Sequence, residues 1–249
     1  MALAKMKYRT NQLLCKLAIG LKHSSAGLRA AWVLACSAVF LSPMLAHAEL
    51  SNISRIFRQT PQLSAFEICQ GGGCAEVSKT SLTELEWNAV TRIFNKPALN
   101  AKEERQKIAL AIGVLEELIG KKIGTAADLA GTFFNGNLTG QQDCNDEAIN
   151  STTYMRLLKQ NGLMPLHEIE DIRTRNFFFT GWPHTTAVIR EIETAERYAV
   201  DSWFYNNGHA ATIITFKQWK ANFQPEDSPI NHPKSAQSNS VTDFKPVSR

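Results

Sequence analysis

The chain has 249 residues, 44% hydrophobic and 20% charged, with 14 Gly and 9 Pro. This excludes collagen-like, coiled-coil and wholly disordered chains and suits one large domain or two small ones. The formal charge is +4, but six of the 27 lysines and arginines (Lys5, Lys7, Arg9, Lys16, Lys22 and Arg29) precede residue 49, in a stretch with no Asp or Glu. The remainder carries 21 basic against 23 acidic side chains, a net of −2, which removes the electrostatic basis for binding nucleic acid.

Residues 30–45 form an apolar run between that basic stretch and Ala46-His47-Ala48. This order is expected of a secretory signal peptide, residues 1–48, cleaved after Ala48 and exporting the rest of the chain to the periplasm or beyond. An uncleaved leader anchored in the inner membrane is the alternative, although the run is short for a span. After cleavage three cysteines remain, Cys69, Cys74 and Cys144. An oxidising compartment favours a local bridge between Cys69 and Cys74 across Gln70-Gly71-Gly72-Gly73, leaving Cys144 as a free thiol. A redox pair or two metal thiolates are the other readings of the first two, but no Cys or His cluster elsewhere completes a zinc set.

Residues 49–80 lack clear periodicity and are expected to be irregular around the Cys loop. Ser81 with Glu84 reads as a capping box opening a helix with an apolar stripe of Leu82, Leu85, Trp87, Val90, Ile93 and Phe94, stopped by Pro97. Asn100 with Glu103 opens a longer helix in which Ile108, Ile112, Leu115 and Ile119 recur, its charged residues expected on a solvated face. After the Gly/Asn-rich connection 131–140, a third helix spans about Cys144 to Gln160, and Asn161-Gly162 ends it. Beyond it the period becomes two. Strands are expected at 176–180, 184–192, 197–205 and 210–216, followed by a short helix over 217–223. Helices followed by antiparallel strands make residues 81–223 an α+β domain. The tail, 224–249, is rich in Pro, Ser and Asn and is expected to be disordered.

Cys144 lies in Gln142-Asp143-Cys144-Asn145-Asp146-Glu147, with Asp143 as a good N-cap, so the thiol falls in the first helical turn. There the helix dipole and unpaired amides favour a thiolate and suit an oxyanion. A nucleophilic thiol needs a base, and the base an orienting group. The strands offer His184 and Asp201. A symmetric two-residue turn at Thr194-Ala195 would set His184 opposite Tyr205, four residues from Asp201 and roughly 13 Å along the strand. The offset is even, so both side chains share a face, and a longer turn or a bulge is expected to bring them together. Trp182, Trp203 and Trp219 are expected in the core, with Trp182 also a candidate for lining a substrate groove. His209 is expected in an exposed loop, and His167 shows no partner.

The segments Asp143-Cys144-Asn145-Asp146-Glu147-Ala148, Trp182-Pro183-His184-Thr185-Thr186-Ala187-Val188 and Tyr198-Ala199-Val200-Asp201-Ser202-Trp203 resemble the bacterial transglutaminase-like cysteine proteinases, over about residues 80–223. The resemblance implies a papain-like, transglutaminase-type core in the periplasm, with Cys144 as nucleophile, His184 as general base and acid, and Asp201 orienting the imidazole. One branch of that family is controlled by calcium bound near its cysteine. This raises the expectation that Asp143, Asp146 and Glu147, whose charges oppose a thiolate, contribute oxygens to a calcium site. No cofactor is required for the chemistry itself.

Three functions follow as expectations: a cysteine peptidase acting on a protein or peptide through an acyl-enzyme, a transglutaminase or amidase using the same triad, and a non-catalytic binding module on the same fold. The substrate and the oligomeric state are not legible in the sequence.

Overall fold

A computed structural model describes residues 52–133, 139–176 and 183–231. The chain divides into two units, Met1–Arg55 and Ile56–Arg249. Of the first, residues 52–55 are described, and they are helical. The leader 1–48, Trp182 and the tail from residue 232 lie outside the described residues.

The second unit mixes helices with antiparallel sheet, as the α+β reading expects. Residues 49–80 depart from the irregular segment expected there, because β1 (Phe66–Gln70) and β2 (Glu76–Thr80) form a hairpin. The first helix, α1 (Glu84–Thr91), is capped two residues later than expected: Thr83 accepts from the Glu86 amide, and the Glu86 side chain accepts from the Thr83 amide. Asn100 caps α2 (Ala101–Ile123), and the stripe Ile108, Ile112, Leu115 and Ile119 is fully buried. Each such side chain contributes about 1.5–3 kcal/mol. The solvated face expected of α2 fails at Glu104 and Glu116, which are buried. Glu104 accepts from the Leu166 amide and from His167 Nδ1 at 2.8 Å, and His167 Nε2 accepts from Arg105, so the buried ring is held between two charged side chains.

At the centre lies α3 (Cys144–Gln160), buried along nearly its whole length and ended by Asn161 and by Gly162 in a left-handed conformation. It packs against β1 and against a four-stranded meander of β3 (His167–Arg175), β4 (His184–Glu191), β5 (Arg197–Asp201) and β6 (Thr212–Thr215). Such a helix must satisfy its polar groups internally. Asn150 exchanges two hydrogen bonds with the backbone of Cys69, while Thr152 and Thr153 bond back to the carbonyls of Ala148 and Ile149.

The strand before β4 is 167–175, not 176–180: Asn176 has left the ladder with φ +60°, and 177–180 are outside the described residues. Both β5 and β6 are shorter than expected, and the closing helix α4 is Phe216–Lys220. Residues 224–231, expected in the tail, pack on the domain, where Ser228 Oγ donates to the Phe204 carbonyl and Tyr205 to Asp227.

Candidate active site

Asp143 caps α3 as expected, and Cys144 is its first residue. The Cys144 residue is 4% exposed, and the backbone at Thr185 acts on its thiol. Thr185 follows His184 at the start of β4, and α3, which opens with Cys144, packs on that strand. Burial pushes the Cys144 thiol up to about 12, with Asp143, Asp201 and Glu147 acting in the same direction and the Thr185 amide against it. At neutral pH the sulfur therefore carries its proton and needs a base.

His184 Nε2 lies 2.6 Å from Asp201 Oδ2, the two residues being 5% and 2% exposed. A carboxylate accepts, so Nε2 carries a ring proton and in the neutral ring Nδ1 presents a lone pair; Nδ1 is buried and has no hydrogen-bond partner among the described residues. The register explains the contact. The β4–β5 loop spans residues 192–195, longer than a two-residue turn, and Ala195 takes a left-handed φ of +58° within it. Ala187 then pairs with Val200 and Arg190 with Arg197, which places Asp201 two positions off the point opposite His184. That diagonal, within reach of long side chains, replaces the four-residue offset of the short turn.

Two groups that sequence reasoning did not assign hold this pair. Trp219 Nε1 donates to Asp201 Oδ2 at 2.9 Å, so one carboxylate oxygen takes both donors. Arg175 pairs with His184 across β3 and β4, donates to the Trp219 carbonyl and lies over the Trp219 ring, with Asp201 and Cys144 both acting on its charge. Trp203, Phe204 and Trp219 surround the imidazole, their ring centres 4.6, 5.6 and 5.9 Å away.

The acidic neighbours of Cys144 do not fit a calcium site. Asp146 accepts from the amides of Gly72, Cys74 and Asp143, and Asp143 from those of Asn145, Asp146 and Gly73. Glu147 turns the other way and accepts from Ser202 Oγ. Among the described residues, no three His, Cys, Asp or Glu side chains converge to hold a metal. The first-turn amides of Asn145 and Asp146, expected to be unpaired, are likewise occupied by the Asp143 cap.

Cys69 and Cys74 are joined in a disulfide, their Cα atoms 4.6 Å apart, and Cys144 is free. His209 is exposed, as expected, and stacks on Tyr205. A cavity of about 670 Å³, lined by Leu99, Arg105, Glu191 and Tyr198 among others, touches none of Cys144, His184 and Asp201. No family model, no curated protein and no solved structure matches this chain.

Proposed function

We propose that the protein is an exported thiol hydrolase, a cysteine peptidase of the transglutaminase-like type on a papain-like core. The observation that carries the proposal is the His184–Asp201 bond of 2.6 Å, which leaves Nδ1 without a partner among the described residues on β4, the strand on which the helix of Cys144 packs. In the proposed reaction His184 Nδ1 takes the thiol proton as the sulfur attacks an amide carbonyl. The same nitrogen returns that proton to the leaving amine, forming a thioester on Cys144. Water, deprotonated by Nδ1, then releases the acid. Asp201, held by Trp219, keeps the ring in the tautomer these steps need and stabilises the imidazolium. The Cys69–Cys74 bridge supports an oxidising destination.

The burial of all three groups favours one further reading, transfer of the acyl group to an amine in place of water. One experiment tests both. The protein is incubated with a defined peptide mixture, with and without a primary amine, and products are read by mass spectrometry. Cleavage lost in a folded Cys144→Ala variant supports hydrolysis, and amine adducts lost in the same variant support transfer. Products unchanged by Cys144→Ala would overturn the assignment, and a wild-type protein that yields neither product would favour a binding module.

A further inference from the structure

Three acidic residues, Asp143, Asp146 and Glu147, flank the nucleophile proposed above, and like charge opposes formation of a thiolate or an ion pair there. Glu147 is held by Ser202 on the far side, but Asp143 and Asp146 both face the hairpin loop between β1 and β2. The loop is built for that contact. Gly71, Gly72, Gly73 and Cys74 all have positive φ, between 62° and 85°, so that successive backbone amides turn to one side as an anion-binding concavity. Gly72 N lies 2.7 Å from Asp146 Oδ2, Cys74 N 2.6 Å from Asp146 Oδ1, and Gly73 N 3.0 Å from Asp143 Oδ2.

The rest of the loop is tied to the same helix end. Gly71 N donates to the Gln141 carbonyl, the Gln142 side chain donates to the Cys69 carbonyl, and Asn150 exchanges two bonds with Cys69. The bridge closes this loop at its two ends, and both its cysteines are fully buried.

We propose that the disulfide-closed loop Cys69–Cys74 is a positioning element for the nucleophile, its backbone amides supplying the countercharge that Asp143 and Asp146 require beside Cys144. This inference rests on the reading of Cys144 as nucleophile. It gives the bridge a role in reactivity as well as in stability: the charge of Asp143 acts against the thiolate even in the intact chain, and without the bridge the three amides are no longer held against the carboxylates to offset part of it.

The test measures the rate of alkylation of Cys144 by iodoacetamide in the full chain as a function of pH, read on the Cys144 peptide by mass spectrometry so that Cys15 and Cys36 do not contribute. In Cys69→Ser/Cys74→Ser the rate at pH 7 falls about tenfold, equivalent to one pH unit in the profile. Asp143→Asn, which keeps a good N-cap, restores most of the loss in that background. The same substitution in the intact chain changes the rate less than about threefold, because the loop amides already offset much of the charge it removes.

Equal rates with the bridge present and absent would overturn the inference, as would a loss that Asp143→Asn does not restore. Should the double serine variant fail to fold, the intact-chain arm decides alone, since a tenfold gain from Asp143→Asn there would show the charge to be uncompensated. His184→Ala in the same series separates this inference from the proposed function. A rate indifferent to His184 defeats the hydrolase reading, whereas a His184-dependent rate that ignores the loop defeats only the role of the loop.

Discussion

Replacing Trp219 by Phe removes one N–H and keeps much of the ring. The indole donates to Asp201 Oδ2 at 2.9 Å, the same oxygen that takes the His184 proton at 2.6 Å, and both Trp219 and Asp201 are buried. A buried hydrogen bond to a charged acceptor is worth about 1.5–3 kcal/mol. The ring carbons lost from burial add about 1–2 kcal/mol. The variant is therefore destabilised by about 2.5–5 kcal/mol, read as a lower midpoint in urea at unchanged slope. Part of the lost hydrogen-bond energy is support for the ionised carboxylate that steadies the imidazolium, and 1.36 kcal/mol corresponds to a factor of ten. Alkylation of Cys144 at pH 7 is expected to fall about 10–100-fold. Trp203→Phe is the control: its ring lies closer to His184, but its indole donates to the Thr132 carbonyl and not to Asp201. It loses stability without the same fall in rate. Equal rates in wild type and a folded Trp219→Phe would refute the claim that Trp219 supports the pair through Asp201.

The acidic residues between α2 and α3 make stability depend on pH. Burial pushes Glu116 up to about 8 and Asp128 up to about 6, with the backbone amides of Gly208 and of Gln142 respectively opposing. The folded chain thus keeps protons that the unfolded chain has released, so stability falls as pH rises from about 4.5 to 8 for Glu116, by at most about 1.4 kcal/mol per unit, and from about 4 to 6 for Asp128. Urea denaturation at pH 5 and pH 8 checks the sign, and Glu116→Gln flattens the slope. Glu104→Ala leaves His167 and the Leu166 amide buried without their partner and is expected to cost about 3–5 kcal/mol by the same assay. Gly113→Ala puts a Cβ 2.8 Å from the backbone of Gly208 and His209, so it costs about 1–3 kcal/mol and disturbs the loop that follows β5.

The start of α3 was legible because its signal is local: an Asp cap, a polar first turn and Asn161-Gly162 at the far end all lie in the sequence. The pairing of His184 with Asp201 was legible only to within a turn length. One chain cannot say whether 192–195 closes as two residues or four, and that choice moves Asp201 by two positions. The edge strand β3 escaped notice because its sequence, His-Glu-Ile-Glu-Asp-Ile-Arg-Thr-Arg, is dominated by charges. Charges protect an open edge and hide the alternation. The hairpin β1–β2 is too short, and β2 too polar, to show a period. Least legible was what offsets the carboxylates around Cys144. Backbone amides leave no compositional trace, and the three consecutive glycines of the Cys loop were the single hint that the backbone approaches something closely there. Glu104 and Glu116 were hidden for a related reason, since periodicity places a charge on a face without revealing that another element covers it.

Activation of Cys144 by His184, as proposed, is read from the rate of Cys144 alkylation between pH 5 and pH 10 in wild type and in His184→Ala. The wild-type thiol is expected to react well below pH 8.5 by giving its proton to Nδ1, and the reaction to disappear in the folded His184→Ala variant. A thiol equally slow in both proteins, reacting only as its own burial-raised ionisation allows, would contradict it.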